Sequence, residues 1–232
     1  MIKEEVTGTN WNSILLGEIL LFRLLGRLVY EPLSKEWLEN LIDEDVFDDV
    51  PFSEDQRETA LGLELLKKWS DNNKKELTDA SFDDLRADNF RLFVGVNLVL
   101  APLWESVHFT ESRLVFQERT LQVRDWYRRF GLEPEKLHKE PDDHIGLEMI
   151  FISHLAGLAL QAFENQDDEK FGKLIEAQRQ FLSEHLLEWG PEWCFQVLEH
   201  TKTDFYLGIG HLILGALHEI AGKHDIQLKV TR

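Results

Sequence analysis

Glu140-Pro141-Asp142-Asp143-His144-Ile145-Gly146-Leu147-Glu148-Met149-Ile150-Phe151-Ile152 is the stretch on which the fold turns. The proline ring fixes its own backbone angle and disfavours helix at Glu140, so a helix is expected at or just after it. Apolar residues then recur at helical spacing, which predicts a helix over residues 142–164. Asp142 and Asp143 fall in its first turn, where carboxylates accept bonds from unpaired amides and complement the positive end of the helix dipole. That account is complete without a function. Glu140, Asp142, Asp143 and His144 also gather up to three carboxylates and an imidazole at one break in the chain. A guanidinium ligand suits such a cluster, because its planar fork pairs with carboxylates in bidentate fashion. Glu148, one turn beyond His144, is spaced to orient the ring.

Outward from this segment the same periodicity runs through most of the chain, and the six prolines fall largely where helices should begin or end. Helices are expected over residues 11–29, 35–41, 54–72, 82–93, 112–130, 142–164, 168–187, 191–200 and 204–224, with no competing strand pattern. The fold class is therefore all-α. Two irregular stretches interrupt it, 95–109 with Pro102 and Trp104, and 131–141 with two prolines. The second divides the chain into an N-terminal part, 1–133, a hinge, 134–141, and a C-terminal part, 142–232. Exchange of these parts between two copies would give a homodimer. The acidic runs around Val46 and Phe47 and the run 71–76 read as solvated loops.

Composition narrows the classes of function. Forty-three acidic against twenty-five basic residues give a net charge of −18, a field that repels nucleic acid and anionic membranes and favours cationic ligands. A single cysteine, Cys194, permits no disulfide within the chain and no cysteine-rich zinc site. Flanked by Trp193 and Phe195, it reads as buried and inert. Acidic residues follow Met1, and Glu18 and Arg23 interrupt the apolar run 14–25, so no export signal is expected. The most apolar stretch, 206–217, reads as too short to span a bilayer. A cytoplasmic location and no stable membrane association follow as expectations.

Four segments occur in order: Arg91-Leu92-Phe93-Val94-Gly95, Ala101-Pro102-Leu103-Trp104-Glu105-Ser106-Val107, Arg124-Asp125-Trp126-Tyr127-Arg128-Arg129-Phe130-Gly131-Leu132, and Glu140-Pro141-Asp142-Asp143-His144. This succession, over roughly residues 88–160, resembles the TorD/DmsD family of redox-enzyme maturation chaperones. The resemblance implies an all-α cytoplasmic protein that binds the twin-arginine leader peptide of a molybdenum-cofactor-containing oxidoreductase, in its apo-form, and holds it until cofactor insertion, before export. It assigns leader binding to Asp143 and His144, with Glu140 and Pro141 shaping the hinge, Asp142 beside them, and Trp104 lining an adjoining pocket. The chain departs from the family's pattern at Val96, Leu103 and His108-Phe109. Trp104, Phe109, Ile145 and Met149 are candidates for an apolar groove that takes the leader's side chains.

Other chemistries fit less well. Two Glu-x-x-His matches, Glu105 to His108 and Glu135 to His138, resemble half of a di-iron signature, but Pro102 and Pro134 interrupt the helices they would need. Ser106 lacks the glycines of a nucleophile elbow. Gly208 and Gly210 follow no strand and fit close helix packing better than phosphate binding. His211, His218 and His224 show no metal spacing. No catalytic residue, metal or cofactor is expected, and no nucleotide site. The competing reading is a helical scaffold that binds the folded body of a redox-enzyme subunit independently of any leader.

Overall fold

The computed structural model describes residues 10–48, 50, 56–96, 99–110, 114–133 and 140–228. Among them lie ten α-helices: α1 (Trp11–Tyr30), α2 (Lys35–Asp43), α3 (Arg57–Asn73), α4 (Asp79–Asn89), α5 (Glu105–Phe109), α6 (Glu118–Arg129), α7 (Ile145–Glu164), α8 (Asp168–Phe181), α9 (Leu187–His200) and α10 (Asp204–Lys223). The all-α expectation is met. The cause is local at several starts: Ser34, Thr78, Asp167 and Thr203 each accept a bond from the amide three residues on.

Two helix pairs organise the core. The α1 and α7 backbones meet at Gly26 and Gly146, where a Cβ on Gly26 would stand 2.6 Å from the Gly146 carbonyl oxygen. α3 and α10 meet at Gly62 and Gly208, and a Cβ on Gly62 would lie 2.6 Å from the Leu212 amide nitrogen. Close packing thus explains Gly208, as its sequence context suggested. Phe22 and Leu25 of α1, Ile152 and Leu155 of α7, and Leu212 and Leu217 of α10 belong to one buried cluster. Residues on both sides of the proposed 134–141 division therefore share a core. Residues 134–139, with Glu135 and His138, lie outside the described residues.

The structure corrects several boundaries. The helix expected from residue 142 begins at Ile145, and His144 is its cap: Nδ1 accepts from the Gly146 amide at 3.0 Å. The break expected between 187 and 191 is absent. A π-helical turn, Leu182–Leu186, carries α8 directly into α9, and Pro191 sits inside α9. Gly190 before it has no Cβ to clash with the proline ring. α5 lies in a stretch read as irregular, since Pro102 masks so short a helix. α7 and α10, each 20 residues, are long and apolar enough by composition to cross a membrane, which corrects the reading of 206–217 as too short; most of each lies buried in the bundle. Cys194 is buried, and burial raises its thiol pKa well above the ordinary value.

Candidate functional site

Two loops meet in front of α5 and α7. Trp104 and His144 form an isolated antiparallel bridge: Glu105 N donates to the Asp143 carbonyl at 2.9 Å, and Ile145 N to the Leu103 carbonyl at 2.8 Å. The bridge brings all six candidate residues to one place. Glu140 accepts from the Trp104 indole Nε1 at 2.8 Å. The His144 ring meets Trp104 and Tyr30 edge-on, with centroids 6.1 and 5.2 Å apart.

The carboxylates turn inward. Asp142 and Asp143 are fully buried, His144 is 4% exposed, and Pro141 is buried beside them. Asp143 accepts from the Ser106 amide at 2.7 Å and from the Thr120 hydroxyl at 2.8 Å. It therefore caps α5, across the bridge, rather than its own helix. Asp142 Oδ2 takes the Arg124 guanidinium, with Nε at 2.7 Å, and the Asp142 carbonyl accepts from the Tyr127 hydroxyl at 3.1 Å. Asp142 Oδ1 is buried with no hydrogen-bond partner. A guanidinium is thus already seated on this cluster, and it is the chain's own.

Behind the two aspartates lies a second set of buried charges. Arg119 bonds Glu105 at 2.9 Å, the Glu184 carbonyl at 2.7 Å and Glu188 at 2.8 Å, with Phe109 beneath its guanidinium. His185 Nδ1 lies 3.0 Å from Glu105 Oε2. The π-helical turn that presents the Glu184 carbonyl is the kind of irregularity that frees a carbonyl from the helix ladder. Glu148 accepts from the Trp189 indole at 3.3 Å. Burial, reinforced by the Glu105 and Asp143 charges, raises its pKa well above the carboxylate range. Burial likewise raises that of Tyr127, with Glu148 and Asp142 adding to it. Crowding several acids into a dry interior disfavours their charged forms, and the effect falls most heavily on Glu148.

Ile145 and Met149, expected to line a groove, are fully buried in the core instead. The nearest apolar cavity, about 380 Å³, is lined by Tyr30, Tyr127, Leu132, Leu147, Ile150 and Phe151, with Arg23, Arg27, Glu31 and Glu133 at its rim. Trp104 is not among its lining residues. A larger, polar cleft of about 650 Å³ opens beside Arg119, His185 and Glu188. Among the described residues no group of three or more His, Cys, Asp or Glu side chains is placed to hold a metal. Sequence reasoning passed over Tyr30, Thr120 and His185, and gave Glu105 no part in the site, quoting it only within the Trp104 segment and in a metal motif. Their roles depend on contacts between distant elements.

Residues 53–195 match the family described as nitrate reductase delta subunit. Among curated relatives, the Tat proofreading chaperone DmsD of Salmonella typhi is 31% identical over 122 residues, 53% of each chain. The chaperone protein TorD of Aliivibrio salmonicida is 28% identical over 131 residues, 56% of this chain and 60% of the relative. TorD of Vibrio cholerae is 25% identical over 163 residues, 70% of each. The match spans about half the length of the first of these relatives.

Proposed function

We propose, from the premise that this chain belongs to the nitrate reductase delta subunit family that takes in the TorD and DmsD chaperones, that it is a cytoplasmic binding chaperone for a redox enzyme. Its ligand is the twin-arginine leader of a molybdoenzyme catalytic subunit, held in the apo-form until the cofactor is inserted. The observation that carries this reading is the Trp104–His144 bridge, which assembles Glu140, Pro141, Asp142, Asp143, His144 and Trp104. The site binds by exchange. Arg124 holds one oxygen of Asp142 and leaves the other without a partner, and an arginine from the leader replaces it like for like. Such an exchange avoids the cost of about 3–5 kcal/mol that leaving a buried carboxylate uncompensated would bring.

Calorimetry with a synthetic leader carrying paired arginines tests this. Asp143→Asn and His144→Gln should each weaken binding by about tenfold or more, with helical content retained. Arg124→Gln should tighten it, because the internal competitor is gone. Undiminished affinity in the first two variants would remove Asp143 and His144 from the site. Weaker binding in the third would make Arg124 a structural support rather than a placeholder.

A further inference from the structure

The outward face of α1 carries Leu16, 44% exposed, and Leu20, 59% exposed, together with exposed Arg23 and Arg27. The helix's one carboxylate, Glu18, is buried. In a chain of net charge −18, a solvent-facing helix surface built of leucine and arginine is out of keeping with the rest. Arg23 makes no ion pair among the described residues. Arg27 has only the exposed Glu31, at 3.5 Å. Leu20, Arg23, Leu24 and Arg27 also border an apolar groove of about 210 Å³, closed on its far side by Trp37 and Leu41 of α2. Arg23 and Arg27 further rim the cavity between α1 and α7. The face is a ridge between two grooves, with both guanidinia on its crest.

We infer that this face docks an amphipathic helix of another protein, with apolar side chains for the grooves and carboxylates along its edge for Arg23 and Arg27. Charge chooses among the occupants. A twin-arginine leader is cationic and is repelled here, so the site is separate from the cluster around His144, and the inference does not rest on the leader reading. Two copies of the chain meeting on this face by a two-fold axis would set Arg23 and Arg27 against their own counterparts. An anionic bilayer is disfavoured by the molecule's overall charge. What remains is helix-in-groove recognition, in which apolar anchors supply burial and flanking charges supply orientation and rate.

The test uses the full chain and two labelled amphipathic peptides of about five turns, alike in their leucine face but edged with glutamate in one and lysine in the other. Fluorescence anisotropy should show binding of the glutamate peptide that weakens between about 0.05 and 0.5 M salt. The charge-reversed pair Arg23→Glu and Arg27→Glu should lose about tenfold or more for that peptide and gain for the lysine peptide. Leu20→Ser should weaken the glutamate peptide without reversing the preference. All three positions are exposed, so unchanged melting is expected of every variant. Equal binding of both peptides, or a charge-reversed variant that keeps full affinity, overturns the inference. So does sedimentation with phosphatidylglycerol vesicles, or self-association that the reversal abolishes, since each hands the face to a different occupant. Leader affinity should be undiminished in these variants, and a chain that takes no leader at all leaves this experiment unaffected.

Discussion

Glu18, on the buried side of α1, donates nothing to solvent and accepts from Gln178 at 2.8 Å. Burial raises its carboxyl to about 7 from an ordinary 4.5, against the lowering effect of Gln178 and Lys223. His224, with Nε2 3.9 Å from Glu18, is pushed down to about 4 from 6.5 by burial, with Arg179 and Lys223 adding to it. The folded chain keeps the Glu18 proton, so that contribution to stability is whole below pH 4.5 and is lost as pH rises to about 7. The folded chain keeps His224 neutral, so that contribution is whole above pH 6.5 and is lost as pH falls to about 4. Between these limits the two slopes oppose each other. Glu18→Gln removes the first and leaves the second. Its stability relative to the parent should climb by about 3 kcal/mol between pH 4.5 and 7, read from urea denaturation at each pH. A difference that stays flat would mean that Glu18 is ionised in the fold. The aspartates of the candidate site show why such environments are hard to read from sequence. Proline at 141 announces a helix start, but the donors that claim Asp142 and Asp143 are Arg124, Thr120 and the Ser106 amide. Local spacing cannot say that those groups arrive.

At the scale of the helix, glycine has two different meanings in this chain. Gly26 and Gly62 sit where another backbone leaves no room for a Cβ, while Gly172, in α8, has nothing within 4 Å of where its Cβ would be. Gly172→Ala should therefore stabilise the protein by about 1 kcal/mol through helix propensity alone. Gly62→Ala should do the opposite, by about 2 kcal/mol, because forcing α3 and α10 apart outweighs that gain. Thermal melting of the two variants checks both signs, and a stabilised Gly62→Ala would show that the pair can separate freely. The long helices were legible because their apolar faces repeat over many turns. α5 was not, since five residues between Pro102 and Thr110 hold no period. Nor was the continuity of α8 into α9, because Pro191 signals a stop unless the preceding residue is glycine and the turn upstream is π-helical.

Over the whole molecule, an excess of eighteen negative charges pushes the folded state outward against itself. The surface ion pairs that salt would weaken, such as Lys173 with Glu169 and Arg86 with Asp83, are exposed and contribute little. Raising sodium chloride from about 0.05 to 0.5 M should consequently raise the melting temperature, while the same change weakens leader affinity. Salt that lowered the melting temperature would show the ion pairs to matter more than the net charge. The pairing of α1 with α7 and of α3 with α10 has a consequence of its own for the birth of the protein. α1 is complete at residue 30 and α3 at residue 73, yet their partners begin at residues 145 and 204. At about 5–20 residues per second of synthesis, α1 and α3 wait several seconds on the ribosome with leucine faces uncovered. The nascent N-terminal third thus passes through a stage of uncovered apolar surface, the kind of transient exposure that makes an unfinished chain prone to aggregate.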